Sequence, residues 1–288
     1  MRVAITGTTG RVGRALADRL RGRHQVLELP RGEWDLAAPG LVSRIEALDF
    51  DVLLNPAAIT SLEACEDDPA LAERVNAAVP AELAESCRRS GRVMVHFSTD
   101  YVLGGADEGL HGEDVKVNPL SVYGSTKAAG ERAVLDAEGC VIRVSWVFGP
   151  ERPAFPEQVV SRALAGEPLA AVADKTSLPC FTKDLAGWIE RLLEEGIRNE
   201  LLHACNAGEP VSWNGMAEAI LDQMVEAGAL AARPEVEVQH LDEVSFFRAT
   251  RPRHTAMATG RLASRLGEAP RHWREAMREH VAMLLISR

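Results

Sequence analysis

Five near-continuous apolar runs are spaced through the first 150 residues, with helix-period segments between them. They are "RVAITG" (2–7), "QVLELP" (25–30), "DVLLNPAA" (51–58), "RVMVHFST" (92–99) and "VIRVSWVFG" (141–149). A run that is apolar at nearly every residue, rather than at every second one, belongs to a strand covered on both faces. Helix-period segments at 11–22, 40–48, 66–89 and 119–138 supply the covering layers. This alternation predicts an α/β fold: a doubly wound parallel sheet, Rossmann-like, over residues 1–150.

After Gly149 the rhythm loosens. "GPERPAFPEQ" is proline-rich and leaves the sheet, while 169–174 and 200–206 read as short strands returning to it. Helices near 182–195, 212–227 and 270–286 surround the mixed segment "EVEVQHL". Residues 151–288 are therefore expected to form a smaller, mostly C-terminal α/β substrate-binding lobe, interleaved with the dinucleotide-binding domain of 1–150.

Charge and cysteine content narrow the function classes. With 32 basic and 42 acidic side chains the net charge is −10, which disfavours a nucleic-acid backbone as partner. Cys65, Cys87, Cys140, Cys180 and Cys205 are scattered and lack a CxxC pair, so they read as reduced, buried thiols. His203 and Cys205 have no further ligands at metal spacing, and no metal site is expected. No apolar stretch approaches the roughly 20 residues of a membrane helix, and the chain starts directly on a strand-like run. A cytoplasmic protein is expected.

"GTTGRVG" places Gly7, Gly10 and Gly13 between the first strand and first helix. Glycines there allow a tight turn and a close backbone approach to a pyrophosphate, which the free N–H groups of the helix start then face. A dinucleotide site is expected. The second strand ends "ELPRG", with Pro30 and Arg31 where NAD sites carry a carboxylate and Glu28 two residues earlier. A guanidinium at Arg31 suits a 2′-phosphate, favouring NADP(H) over NAD(H).

The chain has two tyrosines, Tyr101 and Tyr123, and Tyr123 stands four residues before Lys127 in a helical segment. That spacing puts both on one helix face, about 5–6 Å apart at Cβ. A free phenol, with pKa about 10, must fall by roughly 3 units, about 4 kcal/mol, to act near neutrality. One ammonium about 4 Å away in a shielded cleft supplies that much. Thr99 ends the fourth strand, at the sheet edge where ligand crevices lie, and can hold a carbonyl beside the phenol.

With GxxGxxG, "STDYV", "PLSVYGSTK" and "SWVFG" together, the chain resembles the extended short-chain dehydrogenases/reductases. Within them it is most similar to the dTDP-4-dehydrorhamnose reductase branch. "VNAAVPAELAESCRRSG", "SLPCFTKDLAGWI" and the Arg251–Pro252 pair extend the resemblance over nearly the whole chain. It implies reduction of a keto group on a nucleotide-linked deoxysugar. Tyr123 would be the general acid, with Thr99 on the reacting oxygen and Lys127 on the nicotinamide ribose. It also implies Gly7, Gly10, Val12 and Gly13 at the pyrophosphate, Asp35 and Leu36 at the adenine, and Ala57 and Ala58 near the ribose. Tyr101 and Trp146 would contact the sugar, Trp146 as an apolar wall. Arg251, next to Pro252, could reach a substrate phosphate or stand as a surface-loop arginine.

Three positions depart from the family pattern. Pro56 in "NPAA" removes a backbone donor, Ala154 replaces an asparagine near the nucleotide diphosphate, and Ala15 replaces a glutamate used in a magnesium-bridged dimer. A homodimer stays open as an assembly, without that metal. Two alternatives also stay open: a sugar-nucleotide epimerase using the same tyrosine, and a non-catalytic NADP-binding regulatory subunit. A dehydratase is disfavoured because Tyr101, not glutamate, follows Asp100. Asp100 has no role that the sequence defines. His96 reads as a satisfied core histidine, and "EDD" at 66–68 as a solvated helix start.

Overall fold

In the computed structural model, which describes residues 1–286, the five apolar runs become β1 (Arg2–Thr6), β2 (Gln25–Leu29), β3 (Val52–Asn55), β4 (Val93–Thr99) and β5 (Cys140–Val144). Shorter strands follow: β6 (Val147–Phe148), β7 (Leu169–Val172), β8 (Thr176–Ser177), β9 (Cys180–Phe181), β10 (Leu201–Ala204), β11 (Val211–Ser212) and β12 (Val236–Gln239). The main sheet has the order β10-β5-β4-β3-β1-β2 with every pair parallel. The chain goes from β1 to β2 on one side, then crosses to β3 on the other. This reversal makes the β1/β3 boundary the topological switch point, where open α/β sheets bind ligands.

The helices are α1 (Arg11–Leu20), α2 (Leu41–Glu46), α3 (Leu62–Asp67), α4 (Pro69–Glu73), α5 (Val79–Arg89), α6 (Val122–Asp136), α7 (Phe155–Ala165), α8 (Thr182–Glu195), α9 (Trp213–Glu226), α10 (Gly260–Leu266) and α11 (Trp273–Ile286). Successive strand residues point to opposite faces. Val3 and Ile5 pack with Leu16 and Leu20 of α1 and Leu185 and Ile189 of α8. Ala4, Leu53 and Met94 pack with Leu41 and Ile45 of α2 and Leu83 of α5. The first cluster continues into Ile220 of α9 and Met277 of α11, so the C-terminal helices share an apolar core with the sheet. All five cysteines are buried and free. Among the described residues no helix is long and apolar enough to cross a membrane.

Three expectations about elements are corrected. Residues 169–172 do not return to the sheet. β7 pairs in parallel with β12, while β10 takes the edge beside β5. The run 141–149 is not one strand either: it breaks at Trp146, whose φ is +40°, and β6 then pairs with β9. The helix expected over 66–89 starts at Leu62 and is cut at Asp68, whose carboxylate caps α4 through the Leu71 N–H at 3.0 Å with Pro69 at the first helical position. It then passes through a π-helical turn at Arg74–Ala78 before α5. The acidic run is more than a solvated helix start, because Glu66 Oε1 also accepts from the Val122 N–H at 2.9 Å and so caps α6.

Candidate active site

A cleft of about 680 Å³ opens beyond the C-terminal ends of β1, β3 and β4. Of the residues singled out in the sequence, Gly7, Gly10, Val12, Gly13, Arg31, Asp35, Leu36, Ala57, Ala58, Thr99, Tyr101, Tyr123, Lys127 and Trp146 all line it. Arg251 does not.

At one end the glycine loop turns from β1 into α1. Gly7 has φ +61°, a conformation that costs a side-chain-bearing residue. A Cβ on Gly13 would lie 2.3 Å from the Gly7 carbonyl oxygen, so only glycine lets the helix come this close to the loop. Gly10 caps α1 without a side-chain hydrogen bond, leaving the first helical N–H groups facing the cleft. Beyond β2, Arg31 is exposed on the cleft lining and has no ion-pair partner among the described residues. Asp35 accepts the Ala37 N–H at 3.0 Å, which shapes the turn that presents Leu36. These donors and the tight backbone suit a dinucleotide.

At the other end lie the chemical groups. Tyr123 and Lys127 sit on the first turns of α6, which Ser121 caps through the Gly124 N–H at 3.2 Å. A Cβ on Gly124 would come within 2.4 Å of the Tyr101 carbonyl oxygen, so glycine after Tyr123 lets α6 press against the end of β4. Thr99 donates to Asp100 Oδ1 at 3.2 Å and accepts the Tyr101 N–H at 3.2 Å. The two tyrosine rings meet edge to face, 5.8 Å apart. Two buried polar atoms of cleft-lining residues, Ser98 Oγ and Trp146 Nε1, have no hydrogen-bond partner among the described residues. Such orphans are what a polar ligand satisfies. The positive φ of Trp146 is a strained conformation held at the same place.

The electrostatics correct one sequence expectation. Burial pushes the Tyr123 phenol well above its ordinary value of 10; the Thr99 hydroxyl opposes this, and Asp100 and Cys65 reinforce it. Lys127 does not dominate, because it is turned toward β4. Its Nζ donates to the Phe97 carbonyl at 2.7 Å and lies 2.9 Å from His96 Nε2. Burial also pulls Lys127 down to about 7, against the favourable field of Glu131. The ammonium expected to acidify the phenol is thus itself weakened by desolvation.

Behind the cleft, Asp100 acquires a role. Its Oδ2 accepts from Thr255 at 2.5 Å and from Ser177 at 3.1 Å, joining the end of β4 to β8 and the 250s segment. Buried Lys175 donates to the Pro252 carbonyl at 2.6 Å and sits 4.6 Å over the Tyr101 ring. Arg251, expected to reach a substrate phosphate, does not line the cleft: its guanidinium pairs with Glu63 at 2.8 Å and lies 3.6 Å over the Phe247 ring.

Sequence reasoning missed three residues that shape the site. Arg11 reaches across the cleft to the carbonyls of Val147 at 3.0 Å and Pro153 at 2.9 Å, tethering the segment that carries Arg152 and Pro153. Asn76, in the π-helical turn, accepts the Ile59 N–H at 2.9 Å and donates back to its carbonyl at 3.0 Å, fixing the loop after β3. A π turn at a functional site is a recurring device, but no local sequence signal announces it. His96, read as a core histidine, is indeed fully buried, yet it touches Lys127. Of the family departures, Pro56 lines the cleft, whereas Ala154 caps α7 just outside it. No cluster of three or more His, Cys, Asp or Glu able to hold a metal ion occurs among the described residues.

Comparison with known proteins gives consistent matches over the full length. Residues 1–286 match the family model described as the RmlD substrate binding domain. A dTDP-4-dehydrorhamnose reductase of Mycolicibacterium smegmatis is 35% identical over 290 residues, spanning 99% of this chain and 86% of that protein. A Streptomyces antibioticus protein named probable dTDP-4,6-dihydroxy-2-methyloxan-3-one 4-ketoreductase is 34% identical over 286 residues, 97% of this chain and 94% of that one. The crystal structure of a dTDP-4-dehydrorhamnose reductase from Clostridium acetobutylicum has a TM-score of 0.88 and 26% identity, covering 99% of this chain and 100% of that one.

Proposed function

The chain belongs to the RmlD substrate binding domain family, and from that premise we propose that it reduces a keto group on a nucleotide-linked deoxysugar, as a dTDP-4-dehydrorhamnose reductase does. It is an NAD(P)-dependent oxidoreductase. The observation that carries the reading is a single cleft, at the switch point of the sheet, lined by Thr99, Tyr123 and Lys127 at one end and the glycine loop at the other. The reductase names of relatives at 34% and 35% identity favour reduction over the epimerase and regulatory readings.

The nicotinamide cofactor, when bound, supplies the hydride. Tyr123 supplies the proton. Its raised pKa keeps the phenol protonated across the neutral range, and an alkoxide is a far stronger base than a phenolate, so the transfer runs downhill. Thr99, once its one hydroxyl proton turns from Asp100 Oδ1, donates to the same oxygen and orients it toward the phenol. Lys127, when charged, stabilises negative charge developing in the cleft, where low dielectric strengthens its field. Trp146, on the cleft lining, offers the sugar an apolar wall. Arg31 favours NADPH over NADH through a 2′-phosphate, for which a guanidinium is the matched partner.

The test is Tyr123→Phe assayed with NADPH and a dTDP-4-keto-6-deoxysugar. Turnover is expected to fall by about 10³-fold or more while NADPH affinity changes less than about twofold. Full retained turnover would defeat the assignment.

A further inference from the structure

Beneath Lys127 runs a row of buried polar side chains that the chemistry above does not use. Lys127 Nζ is 2.9 Å from His96 Nε2, and His96 Nδ1 is 3.1 Å from Asn55 Nδ2. Asn55 Oδ1 accepts from Thr6 Oγ1 at 2.6 Å, and Thr6 Oγ1 accepts the N–H of Ala57, on the cleft wall, at 3.4 Å. Thr6, Asn55 and His96 are 0% exposed and Lys127 is 1% exposed, so these groups must satisfy one another. They come from β1, β3, β4 and α6, adjacent layers of the sheet and its cover.

Counting protons along the row limits its states. Burial and the neighbouring lysine keep His96 well below its ordinary value, so the ring is neutral and carries one N–H. With the Asn55 amide nitrogen toward Nδ1, that proton sits on Nε2 and points at Lys127, where only an amine lone pair accepts it. An ammonium has no lone pair. A charged Lys127 therefore requires a bare Nε2, the proton on Nδ1, and the Asn55 amide turned over so that its oxygen meets the ring and its nitrogen donates to Thr6 Oγ1, whose own proton then turns away from Asn55. Asn amide orientation and His tautomer are coupled choices of this kind.

The other groups around Lys127 do not replace this partner. β4 also gives the Phe97 carbonyl, at 2.7 Å. Tyr123, on the same helix, is a neutral phenol. Glu131, also on α6, is held by Arg143 of β5 through two hydrogen bonds of 2.9 and 2.7 Å.

We propose that His96 is a positioning residue for the reaction: its Nε2 lone pair, presented by an Nδ1–H tautomer that Asn55 and Thr6 hold in place, keeps Lys127 in the charged form the cleft requires. The row is a tautomeric lock, in which the charge on Lys127 and the proton on Nδ1 exist together. Its catalytic consequence rests on the reductase reading; the tautomer itself does not.

Two measurements test it. In ring-¹⁵N NMR of the wild-type protein without substrate, with His96→Gln used for assignment, His96 is expected as the neutral Nδ1–H tautomer at pH 6. The Nε2–H form is expected to grow as pH rises through about 7, where Lys127 titrates. An Nε2–H ring at pH 6, or an imidazolium, overturns the lock. In the kinetic test, His96→Leu should move the alkaline fall of kcat/KM down by about one pH unit, since a hydrogen bond to a charged group is worth about tenfold or more. His96→Gln, whose amide oxygen also accepts from an ammonium and whose amide can also turn over, should restore the limb to within about 0.3 unit. A purely structural histidine would lower thermal stability without moving the limb, and an unmoved limb in His96→Leu, or His96→Gln shifted as far as the leucine variant, sinks the proposal. Should the leucine variant not fold, the NMR and glutamine arms still decide. A protein that shows the Nδ1–H ring but reduces no keto sugar loses the reaction reading and keeps the lock.

Discussion

The cleft wall and the seam behind it each present a buried lysine and an arginine for comparison, Lys127 with Arg31 and Lys175 with Arg251, and the two pairs do different work. Lys127 and Lys175 are 1% and 0% exposed, and burial pulls both down, to about 7 and about 8. Lys175 has Asp100 as its chief opposing charge and donates to the backbone of Pro252. Lys127 faces a neutral imidazole and a carbonyl, with only the already paired Glu131 to oppose desolvation. Equal burial with unequal partners separates a brace from a reactive group. The arginines divide the same way: Arg31 stands open on the cleft, and Arg251 is consumed by Glu63 and Phe247.

The strongest way to break this comparison is to exchange the lysines for methionine in turn. Lys127→Met should lower kcat/KM by about 10³-fold at a stability cost of no more than about 1 kcal/mol, because removing a desolvated amine offsets the loss of its bonds to the Phe97 carbonyl and His96. Lys175→Met should leave turnover per folded molecule within about tenfold but cost about 3 kcal/mol, since Asp100 stays buried without its cation. Urea unfolding beside steady-state assays measures both, and a Lys175→Met enzyme as inactive as Lys127→Met would erase the distinction.

The pH dependence of stability sharpens it next. Both folded-state values lie below the ordinary lysine value of 10.5, so above about 7 for Lys127 and about 8 for Lys175 the unfolded chain binds protons that the folded chain has released. Stability therefore rises with pH from these values toward 10.5, and the penalty is complete below them. Denaturation midpoints at pH 7 and pH 9 should show the rise, and each methionine variant should show a smaller one.

The arginines give the smallest effects. Arg31→Ala should raise the KM for NADPH about tenfold and leave that for NADH within about twofold, as expected for a lost phosphate partner. Arg251→Ala should move neither by more than about threefold. An equal effect of Arg31→Ala on both cofactors would remove its part in selecting the phosphate.

The fold was legible because its signals are local. Unbroken apolar runs mark strands buried on two faces, and the glycine loop and the four-residue step from Tyr123 to Lys127 each need only a short window. What stayed hidden depends on distant partners. Asp100 is satisfied by a threonine 155 residues away, and Arg11 by carbonyls more than 130 residues on. β7 finds β12 rather than the sheet edge, a pairing with a strand far along the chain that its own four residues do not announce. The direction of the Tyr123 shift was missed for the same reason. Spacing shows that a lysine is near, but not that its ammonium is turned toward Phe97 and His96, nor that burial outweighs it.

The sealed cysteines carry a practical consequence. Burial raises Cys65 and Cys140 to about 11, raises Cys87 to about 12, and lifts Cys180 and Cys205 well above the ordinary thiol value. The thiolate is the form that alkylating reagents attack, so the native molecule offers them almost no target. Labelling then proceeds only through openings of the chain, and its rate at each sulfur becomes a clock for how often that part of the core comes apart.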